Sequence, residues 1–147
     1  MNRRLFLSLA ATGLLACQPA PVAFHNTDLT GATFGRQLAL LDHFGQARSL
    51  PDFAGKAIVV FFGYASCPDV CPTMLAKLAE VMKTLGDDAP RVQVLFVTID
   101  PERDSAERLK EFVPWFYPTF LGLRGSAEQT RAATEEFRIF AAKKQIS

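Results

Sequence analysis

Two thiols, Cys67 and Cys71, are the residues best suited to chemistry in this chain. They lie in the run Gly63-Tyr64-Ala65-Ser66-Cys67-Pro68-Asp69-Val70-Cys71-Pro72-Thr73. Side chains four apart in a turn leading into a helix come onto one side, close enough to share an ion or bond to each other. Thiolates are soft ligands that select Cu(I), Zn or iron–sulfur clusters. A single pair excludes a four-cysteine cluster or a closed zinc site within one chain. Cu(I) tolerates low coordination and two thiolates can hold it, whereas Cu(II) would want an imidazole as well. The same pair could instead exchange disulfides with a partner's cysteines. The plainest alternative is a structural disulfide or two buried thiols.

The elements around the motif set its geometry. Ala57-Ile58-Val59-Val60-Phe61-Phe62 is a short apolar run between Gly55 and Gly63, which predicts a strand buried on both faces. Met74 to Leu85 has helical periodicity, with Leu75, Leu78, Ala79, Met82 and Leu85 near one face and Gly86 as its stop. Pro72 suits the first helical position, which puts Cys71 at the helix mouth, where the dipole favours thiolate. Arg36 to Leu50 reads as a hairpin turning at Asp42-His43-Phe44-Gly45. Val92 to Ile99 is a second buried strand. Asp104-Ser105-Ala106-Glu107 resembles a capping box opening a helix that Pro114 should end or kink. Phe120 to Leu123 is a short strand, and Ser126-Ala127-Glu128-Gln129 caps a helix to about Phe137. Alternating strands and helices predict a largely parallel α/β sheet with right-handed crossovers. The thiols then fall at the C-terminal end of a strand, where such sheets place ligands.

The 147 residues suit one domain, 49% hydrophobic with a net charge of +1. That composition excludes a disordered polyampholyte and offers no basic footprint for nucleic acid. The cysteine count of three is odd, and the first thiol accounts for it. Arg3 and Arg4 precede an uncharged apolar run, Leu5 to Ala16, of signal-peptide length and too short to span a bilayer. Leu14-Leu15-Ala16-Cys17 resembles a bacterial lipobox, which implies removal of residues 1–16 and lipid on Cys17. Arg3-Arg4-Leu5-Phe6-Leu7 also resembles a twin-arginine export signal. Residues 17–27, with Pro19 and Pro21, read as a stalk. The remaining two thiols would then stand as a pair in an oxidising compartment.

Phe62-Gly63-Tyr64 and Cys67-Pro68-Asp69-Val70-Cys71-Pro72-Thr73 resemble the signature of the Sco/SenC copper-chaperone family. Leu29-Thr30-Gly31-Ala32-Thr33-Phe34-Gly35, Asp52-Phe53-Ala54-Gly55-Lys56 and Val97-Thr98-Ile99-Asp100-Pro101-Glu102-Arg103-Asp104 agree in order and spacing. The resemblance runs from about Phe24 to Phe140. It implies a thioredoxin-like, three-layer α/β/α domain over residues 28–147, tethered on the periplasmic side of the bacterial cell membrane. It implies that Cys67 and Cys71 bind a copper ion. The family delivers copper to the binuclear site of cytochrome c oxidase subunit II, or reduces that site's cysteines. Other periplasmic copper carriers are implied as possible partners. The role is that of a metallochaperone more than an enzyme. The family's third ligand is a histidine beyond the last helix seen here, in a region with a final strand pair and closing helix. No position of this sequence matches it, so the domain is expected to be incomplete at its C-terminal end. An inactive, truncated copy is a further alternative.

Other donors are weighed residue by residue. His25 near the mature N-terminus and His43 in the predicted turn read as solvated surface histidines. Met74 offers a thioether but reads as helix packing. Asp69 between the thiols, and Asp100, Glu102 and Asp104 after the second buried strand, could orient a ligand or tune thiol charge. Their bland readings are turn and helix-cap work.

Overall fold

The computed structural model describes residues 26–141. The chain divides at Gly31 into two units. In the first, the Asp28 carboxylate accepts from the Thr30 N–H at 2.8 Å and the Thr30 hydroxyl at 2.6 Å. The second holds the fold.

Its elements are β1 (Ala39–Asp42), β2 (Ala47–Ser49), β3 (Ala57–Gly63), α1 (Val70–Leu85), β4 (Val92–Thr98), α2 (Ala106–Phe116), β5 (Leu121–Arg124) and α3 (Ala127–Glu136). The sheet order is β2-β1-β5-β4-β3. β3, β4 and β5 run parallel, while β1 is antiparallel to both β2 and β5. This is the α/β, thioredoxin-like arrangement that the resemblance implies, but the sheet is mixed rather than largely parallel, because the β1–β2 hairpin adds two antiparallel pairings to the two parallel ones.

β4 shows why the middle of its sequence is a continuous apolar run. Val94 and Phe96 face a core shared with Leu75, Ala79 and Met82 of α1 and Leu109 and Val113 of α2. Leu95 and Val97 face a second core with Leu40, Leu123 and Ala133 of α3. Covered on both faces, β4 keeps polar side chains only toward its ends, where Gln93 donates to the Thr119 carbonyl and the Thr98 hydroxyl to Asp104. β3 has the same composition but pairs only with β4 among the described residues. Its residues 58–62 are half-buried, not buried on both faces as the sequence suggests. Apolar periodicity reports which faces are covered and is blind to whether the strand's backbone edge is.

Several boundaries differ from expectation. α1 begins at Val70, earlier than its apolar periodicity, so Pro72 lies inside the first turn and Cys71 follows the first helical residue. Proline needs no N–H partner there, so the helix starts upstream of it. Gly86, at φ 52°, ends the helix as expected. α2 is capped by Ser105, whose side chain accepts from the Arg108 N–H at 3.2 Å. Asp104 therefore is not its cap. α2 runs past Pro114 to Phe116, held by buried Val113 and by Phe112 against Phe116, ring centroids 5.3 Å apart. Ser126 and Gln129 form the predicted capping box of α3.

His43 is the clearest departure. It is buried at 4% exposure, and its Nδ1 accepts the Gly122 N–H at 3.0 Å. The turn folds back onto β5 because Gly122 has no side chain. A Cβ there would lie 3.0 Å from Leu109 and 3.3 Å from His43.

Candidate functional site

β3 delivers the chain to the C-terminal end of the sheet, where the Gly63 carbonyl accepts the Ile99 N–H at 2.8 Å. The loop turns at once, with the Cys67 N–H donating to the Tyr64 carbonyl at 3.2 Å. α1 then opens, and the Thr73 N–H donates to the Asp69 carbonyl at 3.1 Å. Both cysteines are free thiols, Cys67 half-buried and Cys71 buried. Gly63 packs directly beneath Cys71, since a Cβ on it would stand 2.9 Å from the Cys71 Sγ.

The two sulfurs have unlike surroundings. Burial works against a thiolate at Cys67, but the N–H groups of Asp69 and Cys71, the Cys71 thiol and the Tyr64 hydroxyl all point at its sulfur. Together they lower its pKa to about 7. Burial pushes Cys71 up to about 11. The Tyr64 N–H opposes that shift, and the bond to Cys67 with the charges of Cys67 and Asp104 reinforces it. The Tyr64 phenol is itself raised, first by the Cys67 charge and then by the hydrogen bond to that sulfur. The pair is thus one half-buried thiol that ionises near pH 7 and one buried thiol donating to it. The sequence places the thiolate at Cys71. The structure reverses that order because the open N–H groups at the helix mouth point at Cys67, while Cys71 lies in the first turn under Gly63.

The acidic candidates separate. Asp104 is fully buried, and its Oδ2 accepts from the Ala65 N–H at 2.9 Å and the Thr98 hydroxyl at 2.6 Å. Asp100 donates its N–H to the Thr98 hydroxyl at 3.0 Å, lies 3.6 Å from Arg103, and helps raise the Tyr64 phenol. Asp69 is exposed, and its carboxylate accepts from the Thr73 hydroxyl at 3.4 Å, so its backbone N–H is what serves Cys67. Glu102 lies exposed in the same loop. Met74 is 39% exposed rather than packed in the core, because α1 turns Cys71 and Leu75 inward. His43 is bonded to β5 instead of facing the thiols. Cys17 and His25 lie outside the described residues. No group of three His, Cys, Asp or Glu that could hold a metal occurs among the described residues.

Sequence reasoning missed the roles of Tyr64 and Arg108. The signal for Tyr64 was a hydroxyl-bearing side chain three residues before Cys67, at the strand's exit. Arg108 had none, because its contact with Ser66, Nη2 to Oγ at 3.1 Å, spans 42 residues.

Comparisons with known proteins bear on the family and the fold. The SCO1/SenC family profile matches residues 26–147. A mitochondrial SCO2 homolog of Danio rerio is 45% identical over 104 residues, covering 69% of this chain and 37% of the relative. The chain thus spans under half the length of that curated relative. Bradyrhizobium japonicum ScoI with copper bound superposes with a TM-score of 0.73 at 35% identity, covering 77% of this chain and 72% of that one. Apo Sco1 of Thermus thermophilus superposes with a TM-score of 0.75 at 39% identity, covering 87% and 74%. By profile, by identity and by a shared fold, this chain belongs to the SCO1/SenC family.

Proposed function

We propose that the chain is a membrane-tethered copper carrier that holds Cu(I) between Cys67 and Cys71. It delivers the ion to the binuclear copper site of cytochrome c oxidase subunit II. The observation that carries this reading is the thiol pair itself: two free sulfurs hydrogen-bonded to each other at the helix mouth, one of them a thiolate near neutral pH. Two soft donors without an adjoining carboxylate or imidazole cluster among the described residues suit Cu(I) better than Cu(II). The copper-bound ScoI relative supports the same assignment. Ligation by both sulfurs requires Cys71 to give up its proton, so binding releases protons and strengthens as pH rises. In this reading residues 1–16 are a signal, Cys17 carries lipid at the periplasmic face of the membrane, 17–27 form the stalk and 28–147 the carrier domain.

Titration of the reduced protein with Cu(I) tests the proposal. About one ion per chain is expected, with retention lost in Cys67→Ser and in Cys71→Ser. Undiminished retention in either variant would overturn it.

One observation favours a second reading, thiol–disulfide exchange with a partner's cysteines. A half-buried thiolate beside a buried thiol is the arrangement of an attacking and a resolving cysteine. Turnover of a disulfide substrate by the copper-free protein separates this from pure ligation.

A further inference from the structure

We infer that Asp104 is a positioning residue for the thiol pair, tying the loop before Cys67 to β4 and α2 through Ala65 and Thr98. The inference deepens the proposed function and rests on Cys67 and Cys71 being its working groups.

Asp104 stands at the N-terminus of α2 but does not cap it, because Ser105 does. Its side chain is 1% exposed. A carboxylate buried this deeply is costly unless its bonds compensate. Its Oδ2 makes two, to the Ala65 N–H at 2.9 Å and the Thr98 hydroxyl at 2.6 Å. Both are charge-assisted, and the second has the length usual for a hydroxyl on a carboxylate. Its Oδ1 has no hydrogen bond and lies 3.7 Å from the Arg108 Nε. The bonds therefore go to the thiol loop and the end of β4, not to the helix beside it. Ala65 lies 39 residues away in sequence and two residues before Cys67.

Neighbouring groups complete the brace. Arg108 also donates to Ser66, the residue adjacent to Cys67. Arg124 of β5 donates to the Asp104 carbonyl at 3.2 Å and the Pro101 carbonyl at 3.1 Å, which fixes the segment that carries Asp104. The Asp104 carboxylate thus ties the loop holding Cys67 to β4 and pairs with Arg108 of α2, while its backbone carbonyl takes the bond from β5.

The test uses the reduced, copper-free protein, so failure of copper binding in the parent leaves the readout intact. Two quantities are measured: hydrogen exchange at the Ala65 amide, and the ratio of iodoacetamide alkylation at Cys67 to that at Cys71, resolved by peptide mass. Asp104→Asn keeps an acceptor oxygen and loses the charge. Its bonds to Ala65 and Thr98 lose their charge assistance, so Ala65 exchange is expected to rise about threefold and the alkylation ratio to change as the loop around Cys67 loosens. Asp104→Ala loses the acceptor too, and Ala65 exchange is expected to rise about tenfold or more. Ser105→Ala weakens the α2 cap without touching the loop and should leave the ratio unchanged. An unchanged exchange rate and ratio in folded Asp104→Ala would overturn the inference. So would a shift in Ser105→Ala as large as that in Asp104→Asn. Should Asp104→Ala fail to fold, Thr98→Val and Asp104→Asn decide: an unaltered Ala65 amide in the first and an unaltered ratio in the second reject the role.

Discussion

Tyr64 reaches both sulfurs, its hydroxyl donating to Cys67 and its backbone N–H to Cys71. Tyr64→Phe removes the first bond and keeps the second. The Cys67 pKa should then rise above about 7, by up to about one unit for a hydrogen bond to a charged group. Its alkylation at pH 7 should slow several-fold, and rate profiles against pH read the shift directly. An unmoved profile would remove Tyr64 from the site. Gly63 is the second residue-scale test, because an added Cβ would press to 2.9 Å from the Cys71 Sγ and 3.0 Å from Phe96. Gly63→Ala should cost about 1–3 kcal/mol through overpacking, seen as a lowered urea midpoint. At this scale the sequence displays the thiols and their spacing plainly. It hides which sulfur is charged, because that depends on how N–H groups point after the loop folds. It hides Asp104's partner because Ala65 arrives from a distant turn.

The β1–β2 turn is held to β5 by a neutral imidazole, which makes the stability of this region depend on pH. His43 accepts the Gly122 N–H at Nδ1, so that nitrogen carries no proton. Burial lowers its pKa below the ordinary 6.5, with the Asp42 charge opposing and the Lys110 charge assisting. The unfolded chain takes up this proton near pH 6.5 and the folded chain does not. The stability it contributes is complete above about pH 6.5 and is lost as pH falls from there through the folded pKa. Urea midpoints at pH 7.5 and 5.5 should differ, with the lower at 5.5, and His43→Gln should narrow the gap. Equal narrowing by an exposed substitution such as Glu128→Gln would point to general acid titration instead. The turn itself was legible from Asp42-His43-Phe44-Gly45, but its burial was not. No local pattern announces that a glycine on another strand leaves room for a ring. Helices fared likewise: periodicity located α1, α2 and α3, while α1's true start lies in the thiol loop, where apolar spacing gives no signal.

The α/β class follows from β-α alternation, while the strand order, with β1 antiparallel beside β5, does not; among the described residues the most consequential surface is an edge that composition conceals. β3 is seven residues of Ala57–Gly63 without a charge, proline or recorded bulge, and it pairs with one strand among the described residues. Native sheets shield long apolar edges of this kind, and unshielded ones recruit further strands. The sequence is self-complementary about Val60: antiparallel pairing of two copies would set apolar side chains opposite apolar ones on both faces. Residues 26–147, without Arg3 and Arg4, carry a net charge of −1, which offers little repulsion against such association. Residues 26–147, the span matched by the family profile, should therefore self-associate in a concentration-dependent way during sedimentation. Association should not depend on reductant, since pairing of β3 makes no disulfide. Val60→Lys places a charge at the centre of the edge and should shift the protein toward monomer while circular dichroism retains its helices and strands. A monomer at every concentration in the parent would mean that β3 is covered by some other part of the chain.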